Sequence, residues 1–255
     1  MSLLVPAAFF VLGAFIASFV GVIVARLHTG QSMLIGRSRC DACNTPLAPA
    51  SLLPIIAPFV LSRHAHCCGV RLSLVPPLSE LILGGLFIFV YRTVGVTPAL
   101  PVMLVSLSLL LALVLYDLRH QILPSVLLGA FLVTSAVTRF LLTPSLADFL
   151  FSVSVALLIA LPLALFHFLS GGRMMGFSDA PLAFALALLV GSAAVSGFVF
   201  SFWIGAVVGL CLLARRPRGS ILGVEVPFAP YLAAGFLLAY CTQWNPFVFA
   251  LALPR

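Results

Sequence analysis

Six residues in this 255-residue chain are acidic, and two of them stand at the edges of long apolar runs. Asp117 follows LLLALVLY, and Asp179 precedes APLAFALALL, with glycines on both sides and Pro181 behind it. Two carboxylates brought together cannot both ionise easily, so they share a proton. One then serves as general base on a water while the other polarises a carbonyl, which is what peptide hydrolysis by water requires. Their titration belongs to the pair rather than to either residue. The bland alternative is that each is an interfacial residue or a helix cap, and Asp179 ahead of Pro181 suits a helix N-terminus. Of the remaining acids, Asp41 lies in a cysteine-bearing loop, Asp148 opens an apolar run and Glu225 precedes PFAP. Glu80 lies about one turn inside an apolar run; an ionisable group there is costly and is a functional candidate by default. His120 and His167 stand at the ends of apolar runs, where polar residues are usually solvated, and neither is assigned a role.

A second chemistry is suggested by cysteines. Cys40-Asp-Ala-Cys43 has the spacing of half a zinc knuckle, and RHAHCCG further on supplies Cys67 and Cys68. Four thiolates fill the tetrahedral shell of zinc, and His64 or His66 offers a nitrogen in place of one of them. The alternatives are a loop that holds no metal or, less suited to a reducing compartment, a disulfide.

The elements that must position these groups are membrane helices. The chain is 63% hydrophobic and 7% charged, with a mean hydropathy of +1.26, whereas soluble domains are about a quarter charged. A span needs about 20 predominantly apolar residues, and lipid offers no partner to open backbone groups, so the spans are helical. Eight are expected, near 3–25, 75–91, 98–116, 122–140, 148–170, 180–196, 198–214 and 227–250, the sixth and seventh being divided at Gly197. All 13 basic residues are arginine. With the N-terminus outside, ten of them (Arg26, Arg37, Arg39, Arg63, Arg71, Arg119, Arg173, Arg215, Arg216, Arg218) fall in inner loops and three (Arg92, Arg139, Arg255) outside. That bias favours an outside N-terminus and puts Asp117 and Asp179 on the same, cytoplasmic, side. It also explains the net charge of +7 without nucleic acid. The first apolar run has no basic flank before it and is expected to be a retained span rather than a cleaved signal. The long loop 26–74 is inside, and its LLPIIAPFVL segment is too short and too interrupted by proline to cross.

Five stretches, in order over nearly the whole chain, carry a resemblance. YDLRHQILPS resembles the first catalytic segment of the bacterial type IV prepilin leader peptidases, and MGFSDAPLAFALALLVG resembles their GxGD segment. RLHTGQSMLIGRSRCDAC, VPPLSELILGGLF and VPFAPYLAAGFLLAY resemble the start of that family's loop, its second span and its last span. The resemblance implies an all-α, multi-pass protein of the bacterial inner membrane: a first helix over 1–25, a cytoplasmic loop over 26–74 and an aspartyl protease domain over 75–255. Asp117 and Asp179 would be its catalytic pair. The implied substrates are prepilins or type II secretion pseudopilins, whose basic leader is cut at the cytoplasmic face; many members then methylate the new N-terminus with S-adenosylmethionine. The resemblance also implies a zinc site whose second half is a CxxC pair. Here Cys68 matches the last ligand and Ala65 stands at the third, leaving Cys40, Cys43, Cys67 and Cys68 as the donor set.

This chain departs from the family pattern at several points. Ser178 replaces the second glycine of GxGD, a change that costs backbone freedom unless the conformation is ordinary. Arg119 and Ser125 stand where many members carry acids, and Ala180 and Pro181 occupy a region that often holds a lysine. These departures keep a relative of altered activity in view as an alternative. A proton- or ion-coupled transporter is a second one; it would carry a repeat in matching halves, which the sequence does not show. A thiol redox enzyme built on Cys40 and Cys43 would want those residues outside.

Overall fold

A computed structural model describes residues 3–27, 43, 45, 67–70, 73–172, 175–214 and 227–246. The regular structure among the described residues is helical, with no strand. They fall into two compact units, residues 1–97 and 98–255.

The first unit pairs α1 (Leu4–Arg26) with α2 (Val75–Val94). Prolines at the first positions of α2 suit a helix start, where the missing N–H is not needed. The helix ends at Gly95, whose φ of +70° is open to glycine. The pair crosses at two glycines. A methyl on Gly13 would lie 2.8 Å from the Gly84 Cα, and one on Gly84 would lie 2.9 Å from the Phe10 ring. Between apolar helices in lipid, close backbone approach of this kind is a main source of attraction. Phe9 stacks on Tyr91 nearby, with ring centroids 4.5 Å apart.

The second unit contains α3 (Ala99–His120), α4 (Ser125–Leu142), α5 (Leu146–Ser170), α6 (Asp179–Val190), a 3₁₀ turn (Gly191–Ala193), α7 (Ala194–Ala214) and α8 (Ala229–Thr242). A helix apolar on every side belongs in the middle, and α6 is one. Leu182, Ala183, Ala185 and Leu186 are completely buried, and α4, α5, α7 and α8 all pack on α6. On the rim, α3 packs against α4 and α8. Ser145 caps α5: its hydroxyl accepts the Asp148 N–H at 3.2 Å and donates to the Asp148 carboxylate at 2.6 Å. Asp148 therefore has a structural role. The α7–α8 contact again depends on glycine. A methyl on Gly197 would lie 2.8 Å from the Phe236 Cα, while one on Gly235 would overlap the Ser201 backbone nitrogen and hydroxyl. The Ser201 hydroxyl is shared between Gly197 O at 2.8 Å and, across the interface, Leu232 O at 3.2 Å.

Two expected boundaries are corrected. The break between the sixth and seventh apolar runs falls at Gly191, not at Gly197. Gly191 adopts φ +64°, and the Arg139 guanidinium occupies the place where a side chain would begin. That arginine comes from the last turn of α4, and its Nε donates to Ser152 Oγ at 2.9 Å. It thus brings positive charge to the C-terminal end of α6, where the exposed carbonyls favour it. Gly197 instead serves helix packing. The last helix is also shorter than expected, ending at Thr242 because Gln243 turns left-handed at φ +53°. Among the described residues, six segments are long and apolar enough to cross a membrane. The stretch Asp179–Ala214 counts once among these six, and Ala229–Thr242 is a shorter apolar helix.

Candidate active site

The second unit sets the two aspartates within electrostatic reach of each other. Asp117 lies in the last turn of α3, which stops where Gln121 turns left-handed and donates its N–H to Asp117 O at 2.8 Å. Asp179 is the first residue of α6. Both side chains are buried, 6% and 8% exposed. Asp117 is also the side-chain charge that acts on Asp179 among the described residues. An isolated buried carboxylate is expensive, so two within electrostatic reach of each other call for a chemical reason.

Each carboxylate is held by main chain. The Ala229 N–H, at the start of α8, donates to Asp117 Oδ2 at 3.3 Å. Helix N-termini present unsatisfied amides and favour an anion; α8 directs one of its amides at the catalytic candidate on α3. The proline in VPFAP was the available sequence signal, since proline in a first turn marks a helix start. Asp179 is approached by Gly176, where a methyl would sit 3.6 Å from Asp179 Oδ2. The turn is closed by Asp179 N–H to Gly176 O at 3.3 Å and Ala180 N–H to Phe177 O at 3.2 Å.

Ser178, the departure beside Asp179, has φ −63° and ψ −17°. Any L-residue adopts that conformation without strain, so the missing glycine removes nothing that the turn needs. Ser178→Gly is expected to leave peptide cleavage by the purified protein within about twofold and to change stability by only a few tenths of a kcal/mol. A large gain in rate would show that serine impairs the site. The other departures also have places. Arg119 and Ser125 are exposed, and Ala180 is buried. His120 is exposed and tilts over Tyr116, with centroids 4.5 Å apart.

His167, given no role on sequence grounds, is engaged with the loop that leads to Asp179, its Nδ1 lying 2.9 Å from Met175 O. No sequence spacing signals that contact, because it closes over a glycine turn. Glu80, the other buried acid raised by the sequence, is 5% exposed and belongs to the first unit.

Of the proposed metal ligands, Cys40 lies outside the described residues. Cys43, Cys67 and Cys68 form a cluster whose sulfurs all fall within 4.8 Å of one another. Cys43 and Cys67 are 3.2 Å apart and Cys67 and Cys68 are 3.8 Å apart. A tetrahedral zinc with Zn–S bonds of about 2.3 Å places its sulfurs about 3.8 Å apart. Cys67 and Cys68 stand at that spacing and Cys43 lies closer to Cys67, so the three thiols could supply three ligands of such a shell after a small adjustment. Thr45 Oγ1, 3.1 Å from Cys43 Sγ, supports the first of them.

The family profile described as the Bacterial Peptidase A24 N-terminal domain matches residues 11–94. A Bacillus subtilis protein named prepilin leader peptidase/N-methyltransferase is 30% identical over 236 residues, covering 91% of this chain and 92% of the relative. A Pseudomonas aeruginosa protein of the same name is 28% identical over 253 residues, covering 89% and 87%. One from Myxococcus xanthus reaches 41% over 115 residues, 45% of this chain and 34% of the relative. No solved structure matches the chain.

Proposed function

The chain belongs to the prepilin leader peptidase/N-methyltransferase family, and on that premise we propose that Asp117 and Asp179 are the catalytic pair of a membrane aspartyl endopeptidase. The observation that supports this reading is that two buried carboxylates, one in the last turn of α3 and one at the start of α6, lie within electrostatic reach of each other. The pair holds one proton between them. The ionised member takes a proton from water, and the resulting hydroxide adds to the scissile carbonyl carbon. The protonated member donates to the carbonyl oxygen, and a proton passes to the amine nitrogen as the C–N bond breaks. The Ala229 amide fixes one Asp117 oxygen throughout, which keeps the carboxylate oriented while its proton moves.

The substrates are prepilins or type II secretion pseudopilins, each with a basic leader followed by an apolar helix. The arginine bias supports an orientation with the N-terminus outside and with the aspartate pair and the cysteine loop at the cytoplasmic face of a bacterial inner membrane. An uncut leader lies on that side. Cys43, Cys67 and Cys68, with Cys40 as fourth donor, would hold a structural zinc that ties together positions 24 residues apart in sequence. S-adenosylmethionine would supply the methyl group for the newly freed amine.

The test is incubation of the purified full chain with a model prepilin and S-adenosylmethionine, followed by mass spectrometry of the product N-terminus. The expected product has lost its leader and carries one added methyl group on the new N-terminal amine. An intact substrate after prolonged incubation with folded protein would refute the assignment.

A further inference from the structure

We propose that His167 is a positioning residue that fixes the loop carrying Asp179, through a hydrogen bond from its ring to the Met175 carbonyl. The inference rests on the catalytic reading of Asp179 given above. His167 lies in the last turn of α5, four residues before Gly171 turns left-handed at φ +58° and ends the helix. Gly172 follows at φ +76°, and a methyl there would come within 3.3 Å of the His167 Cε1. The chain thus folds back over the imidazole, and Gly172 is a glycine for both conformation and space.

Having folded back, the loop is caught at two points. Nδ1 of His167 is 2.9 Å from Met175 O; a carbonyl oxygen only accepts, so Nδ1 carries the proton. The ring also meets Phe168 and Phe177 edge-on, each with centroids 5.5 Å away, and those two phenylalanines lie 5.9 Å apart. Edge-to-face aromatic contacts of this kind add to ordinary burial. Phe177 stands two residues before Asp179 and Met175 four before it. Between them the turn is closed by its own backbone bonds. The segment from Met175 to Asp179 is short and closed by these bonds, so a shift of the Met175 carbonyl reaches the Asp179 carboxylate. Reacting groups tolerate little displacement: about 1 Å costs about a hundredfold in rate.

The experiment measures kcat and KM for cleavage of a model prepilin by the full chain, together with Tm. His167→Phe keeps an aromatic ring and loses the donor. His167→Asn loses the ring but places an amide N–H near the position of Nδ1. His167→Phe is expected to lower kcat about tenfold at little-changed KM and Tm, a smaller loss than a 1 Å displacement would bring. His167→Asn is expected to recover kcat to within about threefold of the parent. A His167→Phe variant with parental kcat would overturn the proposal, as would a His167→Asn variant as slow as the phenylalanine one at equal Tm. Should the phenylalanine variant fail to fold, His167→Leu takes its place in the same comparison. Cleavage retained by Asp179→Asn would overturn the catalytic reading and this inference with it. An inactive Asp179→Asn beside a fully active His167→Phe would overturn this inference alone.

Discussion

Asp179→Asn is expected to abolish leader cleavage, by at least about a thousandfold, while leaving the protein folded. The substitution keeps the shape of the side chain and removes the group that holds or takes the proton. General acid–base catalysis alone contributes about a hundred- to ten-thousandfold, and losing one member disables both roles of a pair that acts as a unit. Asp117→Asn should behave alike, because an asparagine carbonyl still accepts the Ala229 N–H that braces α8. The asparagine keeps the volume of the buried side chain, and its amide can donate to the remaining aspartate where the shared proton was, so the site carries no more charge than the singly protonated pair. Tm in detergent is therefore expected to hold. Loss of cleavage accompanied by a collapsed Tm would indicate a structural role for these residues. Normal processing by either variant would remove that residue from the mechanism.

The largest effect on stability is expected from Gly235→Ala. A methyl on Gly235 has no free space, because the Ser201 backbone nitrogen and hydroxyl already occupy it. Those are backbone and near-backbone atoms in the middle of α7, so α7 and α8 must separate rather than a side chain rotate. Overpacking of this severity costs about 3 kcal/mol, at the top of the usual range. It also reaches the site, since α8 supplies the Ala229 amide to Asp117. Gly209→Ala on the same α7 is the matched control. Among the described residues beyond its own helix turn, nothing lies within 4 Å of the methyl it would add, so helix propensity alone predicts a gain of up to about 1 kcal/mol. Equal Tm values for the two variants in one detergent would show that the α7–α8 approach is not close.

Much of the architecture was legible from apolar runs, because lipid restricts a spanning chain to helices of nearly fixed length. The two aspartates were legible for the same reason: against a background of six acids, a carboxylate at the edge of a run stands out. The division of the run from 179 to 214 was not. VGSAAVSGF contains two glycines, and only the backbone shows that Gly191 takes the positive φ while Gly197 admits Phe236. Arg139, whose guanidinium lies where a Gly191 side chain would begin, is far off in sequence on α4. The end of α8 was hidden likewise, since Gln243 carries no mark of a left-handed stop. Ser178 shows the opposite case, a departure from the GxGD pattern that proves conformationally ordinary. At the cysteine cluster, the sequence places Ala65 at the third ligand position, and the fold sets Cys67 and Cys68 near Cys43.

The amide that Ala229 gives to Asp117 has a consequence for biogenesis. A ribosome releases α3, then α6, and only later the helix whose first turn braces the earlier of the two acids. During that interval both acids can already be in the membrane while one lacks its anchor. On the proposed catalytic reading, Asp117 would gain its backbone anchor, and the site its full form, only with insertion of α8.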